Sequence, residues 1–480
     1  SLQLLDYGDF YPHKINQSLC VYSLDNSRLT KTFTGAPNGS GQIFTFSCWY
    51  KRGGLAGKTI FESQKNTSDH YVRISMVSTS HEIQVESYDS SDVVKLNVKT
   101  TNSMGHDVSG WTNLVVKFNS TSGSEEIKIY INGVSQDLTT TTAMTAHTSA
   151  AFGQSSGSDS FNHCVVNRNV GTSTGYDGYI AEVYGIDGLA LDADSFGETK
   201  ADVWIPRKYQ GTLPGNSFHL AFGDSSNLGD DTSGNSHDFT VASINSTQVY
   251  LDVPENNFCV LDDLTTYAGS GGRGYLSKGN LTFLGFDNTD TTFGTMGVSS
   301  GKWYYELKLR GTSNTVLNTV AGFSTTEEMI LEDVGALAYN NSIGIRNGTK
   351  TVNWGSDVTT GLTFAVNDII GFALDIDGGT LKVYQNNTLR STMTLPTDKG
   401  DTWIPVIGDN SSSNDAQGTF NFGQDSDFFE GNSKQNNKDA NGVGDFYYSV
   451  PSNHLAICSK NLPAGEFDLA KGIIPSDYFV

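Results

Sequence analysis

The feature that most constrains this chain is apolar and polar residues in alternation, ended by a two-residue turn. Glu126-Ile-Lys-Ile-Tyr-Ile131 alternates as a half-buried strand does, and Asn132-Gly133 follows at once. Successive side chains of a strand face opposite sides, so alternation buries one face and wets the other. Asn and Gly both tolerate positive φ, which a two-residue hairpin turn demands. The pattern recurs in Phe44-Thr-Phe-Ser-Cys-Trp-Tyr50, in Trp111-Thr-Asn-Leu-Val-Val-Lys-Phe118 and in Trp303-Tyr-Tyr-Glu-Leu-Lys-Leu309. Tyr179–Tyr184 is a further strand. Ile369-Ile-Gly-Phe-Ala-Leu-Asp-Ile376 is apolar enough to be buried on both faces. Asp377-Gly-Gly379 turns it into Thr380-Leu-Lys-Val-Tyr384, and Gln385-Asn-Asn387 turns the chain again. An all-β protein is expected, with Trp49, Trp111, Trp303 and Phe372 in its cores.

At 480 residues the chain exceeds the ~200–250 residues of one large sandwich. Its 52 Gly suit many strands joined by turns, whereas a helical protein would be richer in Ala, Leu, Glu and Lys. Asp and Glu (52) outnumber Lys and Arg (30), for a formal charge of −22. Such a chain repels phosphate backbones and anionic membranes, so nucleic acid is not an expected partner. No apolar run reaches the ~18 residues of a membrane span, and no basic-then-apolar leader opens the sequence. Cys20, Cys48, Cys164, Cys259 and Cys458 are dispersed without a CxxC pair, which argues against zinc and thioredoxin chemistry. They are expected as free thiols, as from a reducing site of synthesis.

Three phrases of the first half, "FTFSCWYKRG", "GWTNLVVKFN" with "IKIYINGV", and "YDGYIAEVYGIDGLAL", resemble laminin-G-like, concanavalin A-like domains. In the second half, "GKWYYELKL", "AGFST", "IGFALDIDGGTLKVYQNN", "PVIGD" and "FNFGQ" follow in the order of SPRY (B30.2) domains, and "SVPSNHLAICSKNLP" is similar to their closing strand. The resemblance implies two concanavalin A-like antiparallel sandwiches of jelly-roll type in tandem. The first is expected over 1–215 and the second over 254–463. An Asp/Ser/Gly/Asn-rich connector is expected at 216–253, a polar surface insert at 425–445, and a tail at 464–480 that reads as the start of a further domain. The domain order, with "LLDYGDFYPHKINQSL" and "WIPRKYQG", resembles tail-fibre or virion-surface proteins of marine bacteriophages. That resemblance implies a virion-surface protein made in a bacterial cytoplasm, a homo-oligomer among other virion proteins, binding a host-surface glycan or protein. A structural decoration or spacer protein is the alternative.

Two sets of residues are candidates for contact. Asp224, Asp231 and Asn235, in a segment whose "DTSGNSHD" resembles a turn near a calcium site of laminin-G-like domains, offer the hard oxygens that Ca2+ prefers. The same residues suit a turn closed on its own backbone. Loops at one end of a SPRY domain imply ligand contact through Tyr339, Arg346 and Trp354, with Trp354 alternatively plugging the core. No catalytic role is expected. The paired-carboxylate pattern of the superfamily's glycoside hydrolases is missing, as are GxSxG and HExxH. A glycan-acting hydrolase is the second alternative.

Overall fold

The structure is a computed structural model. It describes residues 10–462 apart from 23–25, 55–57, 66–69, 79, 104–106, 147–150, 155–160, 169–174, 266–267, 270–271, 286–289, 328–340 and 410–414. The expected tail at 464–480 and Tyr339 lie outside the described residues.

The protein is all-β, 46% strand against 4% helix, with antiparallel sheets facing each other in two sandwiches. One sheet of the first sandwich runs Val134–Ser135, Glu126–Ile131, Thr112–Asn119, Ile43–Arg52, Gly178–Asp187, Ser18–Val21, Val249–Tyr250. The facing sheet runs Leu138–Thr142, Val94–Thr100, Ile83–Tyr88, Tyr71–Met76, Lys58–Lys65, Phe161–Val165, Arg28–Lys31, Thr240–Ala242. The Asn132-Gly133 turn has φ +46° and +79°, as the hairpin needs. A Cβ on Gly133 would stand 2.4 Å from the Trp204 ring, so glycine is required there twice over. Phe44, Phe46, Val72, Ile74, Val85 and Leu96 meet in the first core.

In the second sandwich, Gln417–Asn421, Lys302–Leu309, Ile369–Asp375 and Thr380–Gln385 lie side by side in one sheet. Trp403–Asp409, Thr319–Thr325, Ile343–Arg346 and Lys350–Asn353 do so in the other. Trp303 and Phe372 are buried in this core, as is Trp49 in a smaller cluster of the first half. Glu306, on Lys302–Leu309, is fully buried. Its Oε2 accepts from Tyr447 N (2.8 Å) and Asn421 Nδ2 (3.1 Å), and its Oε1 from Tyr448 N (2.8 Å) and Tyr304 Oη (3.2 Å). One carboxylate thus fastens the Tyr447–Tyr448 backbone onto the central strand.

Three expectations need correction. Residues 216–253 are not a connector. Phe218–Leu220 pairs with Gly178–Asp187, Thr240–Ala242 with Arg28–Lys31, and Val249–Tyr250 with Ser18–Val21, so the segment completes both sheets of the first sandwich. The 425–445 segment reaches the surface as expected, at 430–433 and 440–442, but it is anchored rather than free. Asp425, Asp427, Asp439 and Asp445 are buried because their oxygens accept local backbone N–H groups, as Asp439 does from Asn441 N (2.9 Å) and Val443 N (2.8 Å). Trp111 is half-buried at the seam between the sandwiches, where its Nε1 donates to Asp252 Oδ1 (2.8 Å).

Part of that seam is polar and closed. Lys51 Nζ donates to Asp252 Oδ2 (2.8 Å), Asn257 Oδ1 (2.7 Å) and Phe258 O (2.6 Å), with both members of the Lys51–Asp252 ion pair wholly buried. Every proton of the ammonium is spent, which is the condition for tolerating a buried charge. Cys20, Tyr179 and Tyr250 of the first sandwich pack into the core of the second. All five cysteines are buried free thiols.

Candidate functional site

Of the loop residues expected to contact ligand, Arg346 and Trp354 are committed to the second sandwich itself. Arg346 ends the Ile343–Arg346 strand, only 4% exposed, and its Nη2 donates to Asp357 Oδ1 (2.6 Å). Asp357 also pairs with Lys350 (3.0 Å), so the guanidinium is occupied inside its own sheet. Trp354 is half-buried at φ +44°, its ring edge-on to Trp403 at 5.8 Å. Tyr339 lies outside the described residues.

Asp224, Asp231 and Asn235 do not converge. Asp231 Oδ1 accepts from His219 N (2.9 Å) and Ser233 N (3.0 Å), and Oδ2 from Ser233 Oγ (2.7 Å) and His237 N (2.9 Å). Asn235 turns its amide nitrogen to Leu213 O (2.9 Å) and Ser217 O (3.0 Å). Asp224 closes a separate exposed turn on Ser226. Among the described residues no group of three or more His, Cys, Asp or Glu is arranged to hold a metal ion.

A constellation that the sequence did not single out lies on the outer face of the Lys58–Lys65 sheet. Register carries Glu62 beside Arg73, Arg73 beside Glu86, and Glu86 beside Asn97, one residue from each of four adjacent strands. The alternate residues Val72, Ile74, Val85 and Val98 face the core, which puts this polar rung outward. Arg73 Nε donates to Glu62 Oε2 (2.6 Å) and Nη1 to Glu86 Oε2 (3.4 Å). Burial alone would lower the Arg73 pKa, but Glu62, Tyr71 and Glu86 outweigh it and raise it. Tyr71 and Tyr88 stack at 4.6 Å beside the rung, and the guanidinium lies 4.2 Å over the Tyr71 ring. Gln84 Nε2 donates to Asn97 Oδ1 (2.9 Å). The rung is recessed: Glu62 is 0%, Arg73 11% and Glu86 15% exposed at the side chain. Arg73 Nη2 is buried without a hydrogen-bond partner among the described residues.

A second cluster centres on Glu182, at a bulge in Gly178–Asp187 with φ +49°. Its Oε2 accepts from His13 Nε2 (3.2 Å), His219 Nε2 (3.1 Å) and Tyr184 Oη (3.2 Å). Burial would raise the Glu182 pKa, but the two histidines outweigh it and hold it at about 2. The His219 ring stacks on Tyr184 at 3.9 Å, and its Nδ1 meets Thr232 Oγ1 at 2.6 Å. The space here, lined by His13, Trp49, Tyr184 and Phe196, is too small to admit a water molecule.

The fold and these sites define an all-β protein of two antiparallel sandwiches with a polar, aromatic-flanked outer face. No protein-family description and no curated protein matches the chain. Among solved structures, the SPRY domain of human HERC1 is similar at 16% identity over 31% of this chain and 91% of that one, TM-score 0.26. The TRIM65 PSpry domain is similar at 13% identity over 34% and 92%, TM-score 0.26. A native heptameric SAP-like pentraxin from Limulus polyphemus is similar at 10% identity over 37% and 79%, TM-score 0.28. Likenesses at this level assign the chain to no family.

Proposed function

We propose that the chain is a non-enzymatic binding protein of a virion surface or tail fibre, recognising a host-surface glycan or protein. The observation that carries this reading is the recessed rung Glu62–Arg73–Glu86–Asn97 with its flanking Tyr71–Tyr88 pair. Aromatic faces and planar guanidinium forks are what recognition surfaces use most, and strands hold them rigidly. Glycoside hydrolysis needs two carboxyl groups facing each other across the bond to be cut. Here a guanidinium fills the space between Glu62 and Glu86, which favours binding over hydrolysis. Other virion proteins and further copies of the chain complete the proposed assembly.

The test is binding of the purified chain to intact host cells, with Tyr88→Ala and Asn97→Ala. Both positions are half-buried on the sheet surface. Each is expected to weaken binding about tenfold, equivalent to ~1.4 kcal/mol, at an unchanged melting temperature. Full binding by both variants would sink the reading of this face.

A further inference from the structure

Where the sandwiches meet they leave a second, open cleft of about 530 Å³, within the ~300–1,000 Å³ of ordinary ligand sites. Ser225 and Ser246 of the first sandwich stand on one side. Asn432, Ser433 and Asn436 of the 425–445 segment line it from the second. Tyr250 and Lys434 lie between them. The segment that is extra to the SPRY pattern therefore builds part of the wall.

Charge decides what such a cleft can hold. Lys434 Nζ lies 3.1 Å from Asp425 Oδ1 and 4.0 Å from Asp445 Oδ2, and it donates to Val249 O at 2.6 Å. Its charge is neutralised by two aspartates that are themselves buried. An anionic ligand would find no free cation here among the described residues and would face those carboxylates. An apolar ligand would find little beyond Val249 and Leu251. What remains unspent is neutral and polar. The hydroxyls of Ser225, Ser246 and Ser433 make no hydrogen bond with another described residue. Asn432 and Asn436 commit their amide nitrogens, to Glu430 Oε2 (3.2 Å) and Lys434 O (3.3 Å), and leave their Oδ1 atoms to accept.

We propose that this cleft binds a neutral, hydroxyl-rich ligand, namely a short oligosaccharide of uncharged sugars. Hydroxyls both donate and accept, so they match a wall of serines and amide oxygens where a fixed charge does not. The cleft is also held ready. Tyr250 Oη donates to Asp425 Oδ2 (2.8 Å), Thr247 Oγ1 to Asp427 Oδ2 (2.9 Å) and Gln248 Nε2 to Cys20 O (3.0 Å). Walls fixed from both sandwiches lose little freedom when a ligand enters, which is the condition for useful affinity. The site shares the binding reading above but none of its residues, so either can fail alone.

The experiment is calorimetric titration of the full chain with di- to tetrasaccharides of glucose, galactose, mannose and N-acetylglucosamine, and with sulfated counterparts. Ser433→Trp fills the cleft from an exposed position, and Ser433→Thr keeps the hydroxyl. The expected result is binding of at least one neutral oligomer, insensitive to salt. Ser433→Trp should lower that affinity at least tenfold at unchanged melting temperature, with Ser433→Thr close to the parent. Neutral binding that survives Ser433→Trp overturns the proposal, as does preference for the sulfated series or no binding by any oligomer. Host-cell binding by the same Ser433→Trp protein reports separately on the Arg73 face.

Discussion

Two buried glutamates, one in each sandwich, end at opposite extremes. Glu182 accepts three hydrogen bonds and is held at about 2. Glu306 accepts four, and burial still pushes it up to about 7. The number of donors therefore does not set the outcome. Glu306 is surrounded by backbone N–H groups, an amide and a phenol, all neutral, which cannot repay the loss of water around a full charge. Glu182 meets the two imidazoles of His13 and His219, and their hydrogen bonds and electrostatic attraction win against burial.

The sharpest way to break this comparison is Glu306→Ala. Orphaning the N–H groups of Tyr447 and Tyr448 is expected to cost about 3 kcal/mol or more in chemical denaturation. A change below ~1 kcal/mol would show that Glu306 does not fasten the closing segment.

Next in size is the dependence on pH. The folded Glu306 pKa, near 7, stands above its ordinary 4.5. The folded state therefore keeps the proton longer. Its stabilising contribution is full below pH 4.5 and is lost as pH rises to about 7, a change of ~3 kcal/mol at most. Asp187, which burial pushes up to about 6 despite hydrogen bonds from Asn216 and Asn38, acts the same way from 3.8 to about 6. Glu182 runs the other way. Its contribution is present above 4.5 and is lost as pH falls towards 2. Stability of Glu306→Gln, measured against the parent from pH 4 to 8, should flatten the upper window only. Identical pH profiles for the two proteins would refute the assignment.

His219→Gln sharpens the other half. It removes one of the two imidazoles that hydrogen-bond Glu182, and acid unfolding is expected to begin at higher pH, with a loss of ~1–2 kcal/mol at neutrality. An unmoved acid midpoint would mean that His13 alone suffices.

The smallest effect concerns Asp231, whose four donors already use both oxygens. The melting temperature is expected to be the same in low-millimolar calcium and in chelator. A fall with chelator would restore the calcium site at Asp224, Asp231 and Asn235, because an ion bound to the folded state must stabilise it.

Sequence alternation exposed the long strands and the Asn132-Gly133 and Asn386-Asn387 turns, because both depend on neighbours along the chain. It missed 216–253 for a physical reason. That segment's strands are only two or three residues long, too short to show a period, and Asp, Ser, Gly and Asn around them read as a linker. Phe218, Phe222 and Phe239, all in the first core, were the available clue. The Glu62–Arg73–Glu86 rung was hidden more deeply. Each residue sits visibly at a polar position of its own strand, but only the cross-strand register brings them together. Arg346 shows the converse, since nothing local reveals that Asp357 waits two strands away.

The Lys51 ammonium takes its three acceptors from Asp252, Asn257 and Phe258, straddling the point where the first sandwich gives way to the second. Cutting the chain there would leave that charge short of partners and expose Cys20, Tyr179 and Tyr250 to water. The halves should therefore melt in one calorimetric peak and resist separate expression. Under tension the molecule should hold its length and then give way in a single step, behaving as one stiff strut.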